Sequence, residues 1–416
     1  MKKLITIFVM LVAVNVNAQW VQCIGSGVQS VYSLGASGNN ILAGTPNGVY
    51  LSTNFGINWI QTDLDSTHVY SFVSKDNFVF AGTGDYPNGT GGVFISSNNG
   101  LNWTKTSLIG GHTHAMIVVG NNIFAGLAYN NWGVHISTNN GANWTQTALT
   151  GKVVYSMAKI ENNIFAGTIQ YGVYLSTNNG LSWTQTGLND QSIFSLSTIG
   201  NNLFAGTSSP YLNNSVYLST NNGNNWTQTS LGIISVWSLA SYGNNVFAGT
   251  ETNNYSFGGV YLSTNNGTNW INKNQGFNNL LRIYSLLIIN NYIFAGTSDN
   301  YIWRRSLSEI IGIQNISTEI STAYSLSQNY PNPFNPTTNI KFSIPAMSSP
   351  RVPGADLVQL KVYDVTGREV QTLVNQILNP GTYEVSFDGG SLTSGVYFYR
   401  ITANGFVSSK RMLLLK

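Results

Sequence analysis

One eight-residue phrase, which occurs six times, constrains the fold of this chain more than any other feature. It is STNFGINW at residue 52 and STNNGANW at residue 137, with close variants at 96, 176, 219 and 263. Its final Trp forms a series that one earlier Trp extends: Trp20, Trp59, Trp103, Trp144, Trp183, Trp226 and Trp270. The Gly of a second motif, NIFAGT and its variants, forms another: Gly44, Gly82, Gly126, Gly167, Gly206, Gly249 and Gly296. Both series indicate seven copies of a unit of roughly 40 residues.

Each copy contains four short apolar segments separated by turn residues, and none is long enough for a helix. In the fourth copy they are VVYSMAKI, NNIFAGT, GVYLS and NWTQT. Four strands per repeat of this length are typical of a β-propeller blade, with a stacked solenoid as the alternative. The segment QWVQC near the N-terminus matches a lone fourth strand, whereas the last copy stops after a third strand, YIWRRS. Joining them would close a ring, so we predict a seven-bladed β-propeller over residues 19–305.

The phrase falls between the third and fourth strands, where a hairpin needs special turn residues. Its first Asn can accept backbone N–H bonds as in an Asx turn, the Gly permits positive φ, and the Trp can pack on the blade. We therefore predict a structural role for three residues of each copy: Asn54, Gly56, Trp59, Asn98, Gly100, Trp103, Asn139, Gly141, Trp144, Asn178, Gly180, Trp183, Asn221, Gly223, Trp226, Asn265, Gly267 and Trp270.

This pattern, Ser-x-Asn-x-Gly-x-x-Trp, resembles the Asp-box of sialidase-like and BNR-repeat propellers, with Asn in place of the usual Asp. The resemblance covers about residues 19–305 and implies a structural box that lies away from any active site. A sialidase also needs a cluster of three arginines. Arg282 is the only arginine in residues 19–303, so we do not expect sialidase activity.

Alternation of strand direction puts the second-to-third loops on the face opposite the boxes. These loops differ in length and carry aromatic residues, and variable loops on a rigid scaffold often carry function. Rings mixed with amides suit a glycan or a protein ligand, although the rings could instead only fasten the loops. The candidate ligand-binding residues are Tyr86, Tyr129, Trp132, Tyr171, Tyr211 and Tyr255 on the loops, with His68, His112 and Arg282 nearer the central channel.

One position of the innermost strands is aromatic in six copies and is His114 in the remaining one. The series is Tyr32, Tyr70, His114, Tyr155, Phe194, Trp237 and Tyr284. We interpret His114, and likewise His135, as packed substitutes for a ring. The pair His112-x-His114 lacks a third ligand, so we predict no metal site and no cofactor.

Enzymatic activity stays uncertain from the sequence, and we favour its absence. A glycosidase needs two carboxylates facing one cleft. By register all propeller acids except Asp76 and Glu161 should lie toward the variable face, and a pair among Asp63, Asp65, Asp85 and Asp190 is conceivable, but no motif selects it. The chain is 8% charged with a net charge of +3, which argues against a nucleic-acid partner.

The N-terminus has the pattern of a secretory signal peptide. Lys2 and Lys3 precede the apolar run LITIFVMLVAV, and Ala18 offers a small residue for cleavage. We expect residues 1–18 to be removed, with a buried strand or a membrane anchor as the alternative. We predict no other transmembrane segment. Cys23 is the single cysteine, so no intramolecular disulfide is possible and we expect a buried thiol.

The repeat stops near residue 306, and we predict a linker over 306–323 followed by a small Ig-like antiparallel β-sandwich over 324–416. The insert 346–356 should be a flexible loop. The words NYPNPFNP, VYDVTGREV, SGVYFYRI and KRMLLLK resemble the type A C-terminal sorting domain of the type IX secretion system. That resemblance implies export through the periplasm to the medium or the outer cell surface, with the secretion machinery as partner. It assigns sorting roles to Asn332, Pro333, Phe334, Gly367, Arg368, Gly395 and Lys410.

The sequence therefore predicts an all-β, exported, monomeric protein that binds an extracellular glycan or protein through the variable loops. A glycoside hydrolase or lyase acting on an extracellular polysaccharide is the alternative. A structural component of a surface layer is a third reading.

Overall fold

The computed structural model describes residues 19–23, 30–85, 90–129, 132–208, 214–251, 258–277, 282–290, 292–299, 301–311, 313–317, 321–345, 356–378, 380–389 and 392–416. The predicted signal peptide, most of the insert 346–356, and Tyr86, Tyr211 and Tyr255 lie outside these residues. No helix in the described part of the chain is long and apolar enough to cross a membrane.

The first 28 strands of the described residues form seven four-stranded antiparallel sheets. In chain order they are β1 (Val21–Gln22); β2 (Ser33–Ser37), β3 (Asn40–Thr45), β4 (Gly48–Ser52), β5 (Ile60–Gln61); β6 (His68–Lys75), β7 (Phe78–Asp85), β8 (Thr90–Ser96), β9 (Thr104–Ile109); β10 (His112–Val119), β11 (Asn122–Ala128), β12 (Gly133–Ser137), β13 (Thr145–Thr150); β14 (Val154–Ile160), β15 (Asn163–Thr168), β16 (Gly172–Ser176), β17 (Thr184–Gln185); β18 (Ile193–Ile199), β19 (Asn202–Thr207), β20 (Val216–Ser219), β21 (Thr227–Gln228); β22 (Val236–Tyr242), β23 (Asn245–Thr250), β24 (Gly259–Ser263), β25 (Ile271–Asn272); β26 (Ile283–Ile289), β27 (Tyr292–Thr297) and β28 (Ile302–Ser306).

The two ends of this region meet in one sheet, whose strand order is β1-β28-β27-β26. Val21 pairs with Arg304 and Gln22 with Trp303, as expected for a lone fourth strand supplied by the N-terminal segment. The first strand of each sheet contacts the first strand of the next, and β26 contacts β2. The seven first strands therefore form a closed series.

The core lies between successive sheets, because each buried cluster combines side chains of two neighbours. Leu42 and Leu51 of one sheet, for example, pack with Val69 and Val79 of the next. The second strands are buried on both faces, which explains why they are continuously apolar. A side chain at Gly82 would put a Cβ atom 2.3 Å from Ser71 Oγ and 2.5 Å from a backbone oxygen of the next sheet. Close packing between sheets therefore accounts for the recurring Ala-Gly pair.

The segment predicted as a linker is partly structured, which corrects the sequence prediction. It contains a short helix, α1 (Leu307–Ile311), and a strand, β29 (Ile313–Ser317). Leu307 and Ile310 are fully buried against Trp20 and Trp303. A helix of five residues is too short to show periodicity in the sequence, so the pattern could not reveal it.

The C-terminal region has two further antiparallel sheets, with strand orders β29-β34-β31-β30 and β33-β32-β35-β36. The remaining strands are β30 (Ser325–Leu326), β31 (Thr337–Ile344), β32 (Asp356–Tyr363), β33 (Glu369–Leu378), β34 (Gly381–Asp388), β35 (Gly395–Ala403) and β36 (Phe406–Leu414). Phe342 and Phe387 of one sheet and Leu360 and Tyr399 of the other belong to one buried cluster. The two sheets therefore share a core.

Candidate functional site

Each of the seven sheets has two ends of different character. In six of the sheets the box end carries the repeated phrase, in the turn between the third and fourth strands; in the seventh sheet the fourth strand is β1 from the N-terminal segment. The loop end carries the connections between second and third strands. Antiparallel pairing places the start of each first strand at the loop end, since His68 pairs with Gly84 and His112 with Ala128.

The box end is uniform in its hydrogen bonds. In the box at 137, Ser137 Oγ donates to Asn139 Oδ1 at 3.1 Å, and Gly141 N donates to Ser137 Oγ at 2.8 Å. Asn139 Oδ1 also accepts the Asn143 N–H at 2.9 Å. The same three bonds recur in the boxes at 52, 96, 176, 219 and 263. The box glycines all have positive φ, between 80° and 89°.

The boxes also connect neighbouring sheets. Trp59 belongs to a buried cluster with Cys23 and Phe294 of the preceding sheet, and a Cβ at Gly56 would lie 2.9 Å from the Phe294 ring. Burial raises the pKa of the Cys23 thiol to about 12, and nearby Arg304 opposes that shift. The thiol is therefore a buried, protonated packing group.

Asp63 lies on the box side and not toward the loop end, which corrects the prediction from register. Its carboxylate accepts hydrogen bonds from Trp103 N and Asn102 Nδ2, both at 3.0 Å. Those partners belong to the box of the next sheet. Asp63 follows a two-residue strand, so strand alternation could not fix its direction.

The loop end exposes three large aromatic side chains on adjacent sheets. Tyr129, Trp132 and Tyr171 have exposed fractions of 43%, 45% and 44%, which is high for rings of this size. The Lys152 ammonium lies 3.4 Å from the centroid of the Tyr171 ring. Gly151 N donates to the Trp132 carbonyl at 3.1 Å, which connects the two loops. We call Tyr129, Trp132, Lys152 and Tyr171 the rim cluster.

Tyr129 has a strained backbone and a buried neighbour. Its φ is 53°, in the left-handed region that bulky residues rarely adopt. Its ring lies 4.4 Å from that of His112. His112 is buried, and its Nε2 lies 3.1 Å from the Asp85 carbonyl oxygen. Burial lowers the pKa of His112, although contacts with Asp85 oppose the shift. His112, which the sequence predicted as a ligand contact, is therefore a buried support for the loop. Tyr129 is the exposed residue of the pair.

The other two residues predicted near the channel, His68 and Arg282, have different partners. His68 Nδ1 lies 3.0 Å from the Tyr70 hydroxyl. Arg282 forms an ion pair with Glu251, and its guanidinium carbon lies 4.7 Å from the Trp237 ring centroid. The Trp237 indole N–H also donates to Glu251 at 2.8 Å. Arg282 is thus held by a carboxylate and a ring on the opposite side of the channel from His112.

The aromatic position of the first strands forms a closed chain of ring contacts, which we call the aromatic circuit. Its centroid separations are Tyr32–Tyr70 5.6 Å, Tyr70–His114 4.5 Å, His114–Tyr155 4.0 Å, Tyr155–Phe194 5.0 Å, Phe194–Trp237 4.6 Å, Trp237–Tyr284 5.7 Å and Tyr284–Tyr32 5.3 Å. The circuit surrounds a central cavity of about 440 Å³. Arg282 lines the cavity at one end of the strands, and Leu34, Met116 and Leu286 line it further along.

Two of the carboxylates considered for hydrolysis, Asp85 and Asp190, each form hydrogen bonds with neighbouring side chains. Asp85 accepts hydrogen bonds from the Thr67 and Thr90 hydroxyls, at 2.9 and 2.8 Å. These bonds fasten the loop that follows β7. Asp190 contacts Gln191 at 3.4 Å. The hydrolase alternative stays a prediction, and within the described ranges no group of three His, Cys, Asp or Glu side chains could hold a metal ion.

Sequence reasoning missed Lys152 and Glu251 as functional candidates. Lys152 lies on a fourth-to-first connection, which reaches the same end as the variable loops. Glu251 begins the loop 251–258, but its pairing with Arg282 joins two repeats and has no sequence signal. Comparing the positions just beyond each Ala-Gly-Thr motif would have singled out this acid.

In the C-terminal domain, the predicted sorting residues contact the last strand, lie on the last two strands or form a turn. Phe334 is buried, its N–H donates to the Leu413 carbonyl, and the Leu415 N–H donates to the Phe334 carbonyl, both at 2.9 Å. Asn332 Oδ1 accepts the Leu413 N–H at 3.0 Å, and Pro333 between them is exposed.

The other four sorting residues lie in a turn and along the last two strands. Gly367 has a φ of 83° and Arg368 pairs with Asp364 at 3.0 Å. Gly395 pairs with Leu414, and Lys410 pairs with Tyr399. The NPF segment and β35 therefore flank the C-terminal strand from two sides.

Comparison with known proteins identifies this domain. Residues 328–415 match the family described as secretion system C-terminal sorting domain. The C-terminal domain is a secretion sorting domain. The prediction of a type IX sorting tail is thereby supported, and it indicates secretion or display on the cell surface. A search of curated proteins gives no match.

Several solved structures resemble this chain. YCF48 from Cyanidioschyzon merolae aligns with a TM-score of 0.55 and 13% identity over 70% of this chain and 100% of that one. YCF48 bound to D1 peptide aligns at 0.53 and 12%, over 70% and 97%. The extracellular domain of the hybrid two component system BT4673 from B. thetaiotaomicron aligns at 0.56 and 16%, over 80% and 47%. At these identities the likeness shows the fold alone: all-β and propeller-like.

Proposed function

We propose that this chain is an exported binding protein whose loop end binds an extracellular glycan or protein segment through the rim cluster. The observation that carries the proposal is the exposure of Tyr129, Trp132 and Tyr171 on adjacent loops. Large exposed rings cost free energy in water and are frequent at binding surfaces. The sorting domain supports the proposal, because it would bring these rings into contact with extracellular polymers.

We also propose the finer architecture around this site. The seven sheets are the blades of a seven-bladed propeller that β1 and β28 close, and their boxes belong to the Asp-box type with Asn in place of Asp. The two C-terminal sheets form an Ig-like sandwich. The uniform box hydrogen bonds, the pairing of Val21 with Arg304 and the shared C-terminal core support these assignments.

The strain at Tyr129 adds to the argument for the loop end. A left-handed backbone at a bulky residue costs roughly 1 kcal/mol or more and persists where the surroundings hold it in place. Here the His112 ring and its bond to Asp85 do so. Tyr129 is thus held at a fixed position with part of its ring exposed, which suits recognition.

The structure of YCF48 bound to D1 peptide shows that a protein of similar fold can bind a peptide. A glycan is equally compatible with the rim cluster, since ring faces stack on the apolar faces of sugars. The experiment should therefore present both classes of ligand to the full chain, as a glycan array and a peptide array, with affinities then measured by calorimetry.

The double variant Trp132→Ala, Tyr171→Ala should lose at least about tenfold in affinity, because central aromatic residues dominate interface energies. Leu181→Ala provides a matched control, since Leu181 is 80% exposed but lies in a box. Binding that survives the double variant, or that Leu181→Ala weakens equally, would refute the assignment to the loop end.

A separate test of export removes residues 324–416, which should leave the protein in the periplasm.

A further inference from the structure

We propose that one edge of the last strand, β36, is the surface through which the sorting domain binds the secretion machinery, and that it pairs there with an extended, acidic segment of the partner. This inference rests on the export part of the proposed function. It does not involve the rim cluster, so the binding site at the loop end can fail without it.

β36 lies at the border of its sheet, where the strand order is β33-β32-β35-β36. Its pairing with β35 has no register shift, so the backbone groups of alternate residues point away from β35. Leu413 is one of these residues: its N–H donates to Asn332 Oδ1 at 3.0 Å, and its carbonyl accepts the Phe334 N–H at 2.9 Å. Val407, Ser409 and Arg411 alternate with it and point the same way, and we call them the outer edge.

The chain itself shows that this side of β36 accepts an extended segment. The NPF segment, residues 332–334, lies beside the strand with Phe334 opposite Leu414 in parallel, which is β-augmentation within one molecule. This cover ends at Arg411, whose carbonyl accepts Gln328 Nε2 at 2.8 Å. Among the residues that the structure describes, none bonds to the outward backbone groups of Val407 and Ser409. That part of the strand is therefore open to pairing with another strand.

The side chains around the outer edge indicate the charge of the partner. β35 and β36 contain Arg400, Lys410 and Arg411 but no Asp or Glu. None of the three forms an ion pair with a described residue, and Val407 beside them is 58% exposed. Opposite charges on paired strands attract and like charges repel. An acidic strand therefore fits this edge.

A second copy of the chain fits the outer edge less well. Pairing two β36 strands would bring the cations of both copies into one continuous sheet, and cationic side chains on edge strands protect proteins against such self-association. The match to a secretion sorting domain calls for a different partner, the secretion machinery.

The test measures the secreted fraction of the full chain in a host that has a type IX secretion system. Ser409→Pro removes an outward N–H that the sheet does not use, and proline is tolerated at such positions of edge strands. Ser409→Ala is the matched control, because it also removes the hydroxyl that accepts Arg400 Nε at 3.0 Å but keeps the N–H. The proline variant should lower the secreted fraction by about tenfold or more, and the alanine variant by less than about twofold. Equal secretion of the two would overturn the pairing.

Arg411→Glu tests the charge of the partner and replaces the proline variant if circular dichroism shows that the latter does not fold. It changes one exposed side chain and should lower the secreted fraction by about fivefold or more. Lys341→Glu is the matched control: it makes the same change of charge on the other sheet, at a side chain that is 54% exposed. Equal secretion of these two variants would contradict an acidic partner.

The deletion of residues 324–416 separates this inference from the export assignment. If the deletion leaves secretion unchanged, both are wrong. If the deletion blocks secretion but Ser409→Pro and Arg411→Glu do not, only the outer edge is wrong. A dimer of the wild type in light scattering that Ser409→Pro dissociates would assign the edge to a second copy and overturn the proposal.

Discussion

The box end and the loop end of the seven sheets are built on the same strands but follow opposite rules. Every box repeats the same serine, asparagine and glycine hydrogen bonds, with lengths that differ by no more than about 0.2 Å. The exposed side chains of the loop end differ from sheet to sheet: one loop holds a strained Tyr129, another pairs Lys152 with Tyr171, and another supplies Glu251 to Arg282. Uniformity marks where the sheets are held together, and variation marks the surface that we propose for recognition.

The largest difference in stability between the two ends should appear when one Trp at each end is changed to Ala. Trp59 is only 9% exposed and packs on Phe294 and Cys23 of the preceding sheet. Trp59→Ala should reduce the free energy of unfolding by roughly 3–5 kcal/mol, from lost burial and the cavity that remains. Urea denaturation followed by circular dichroism measures it. A loss below about 1 kcal/mol would show that the boxes do not join the sheets.

A smaller but specific effect should follow from removing one hydroxyl of a box. Ser137→Ala deletes the acceptor of the buried Gly141 N–H and the donor to Asn139. Leaving a buried donor unsatisfied costs about 1–3 kcal/mol. Thr90→Ala, which removes an exposed hydroxyl bound to Asp85 at the loop end, is the matched control and should cost less than half as much. Equal losses in urea denaturation would remove the distinction.

His114, which belongs to the aromatic circuit, should make the stability of the protein sensitive to acid. Burial lowers the pKa of His114 to about 3, well below its ordinary value of 6.5, and its Nε2 has no hydrogen-bond partner among the residues that the structure describes. The unfolded chain therefore binds more protons below pH 6.5. Stability should be complete above pH 6.5 and fall by up to about 1.4 kcal/mol per pH unit as the pH decreases toward 3.

His114→Phe should remove this contribution, because Phe194 fills the equivalent position of another repeat. Burial also lowers the pKa values of His112 and His135, so part of the acid sensitivity should remain. Denaturation midpoints at pH 7 and pH 5 measure the change. An unchanged dependence on pH in the variant would place the acid sensitivity elsewhere.

The same contrast explains what the sequence could and could not predict. The repeated phrase and the Ala-Gly pair follow from local turn chemistry and tight packing, so they predicted the four-stranded units and the β1–β28 pairing. The aromatic circuit was also accessible, because Tyr32, Tyr70 and their equivalents share one repeat position. The pairing of Arg282 with Glu251, the direction of Asp63 and the helix at 307 depend on contacts between units or on very short segments. Periodicity carries no information about such features.

The smallest expected change in stability is at Trp132, and it completes the comparison with Trp59. Trp132 is 45% exposed, and the hydrogen bonds it makes to Gly151 and Gln146 use its backbone carbonyl. Trp132→Ala keeps that carbonyl, so the free energy of unfolding should change by less than about 0.5 kcal/mol. The same denaturation experiment as for Trp59→Ala measures it. If the indole instead pins the loop, the loss would exceed about 1 kcal/mol, and its exposure would be a packing feature. A negligible loss together with reduced ligand binding would mean that the side chain serves recognition alone.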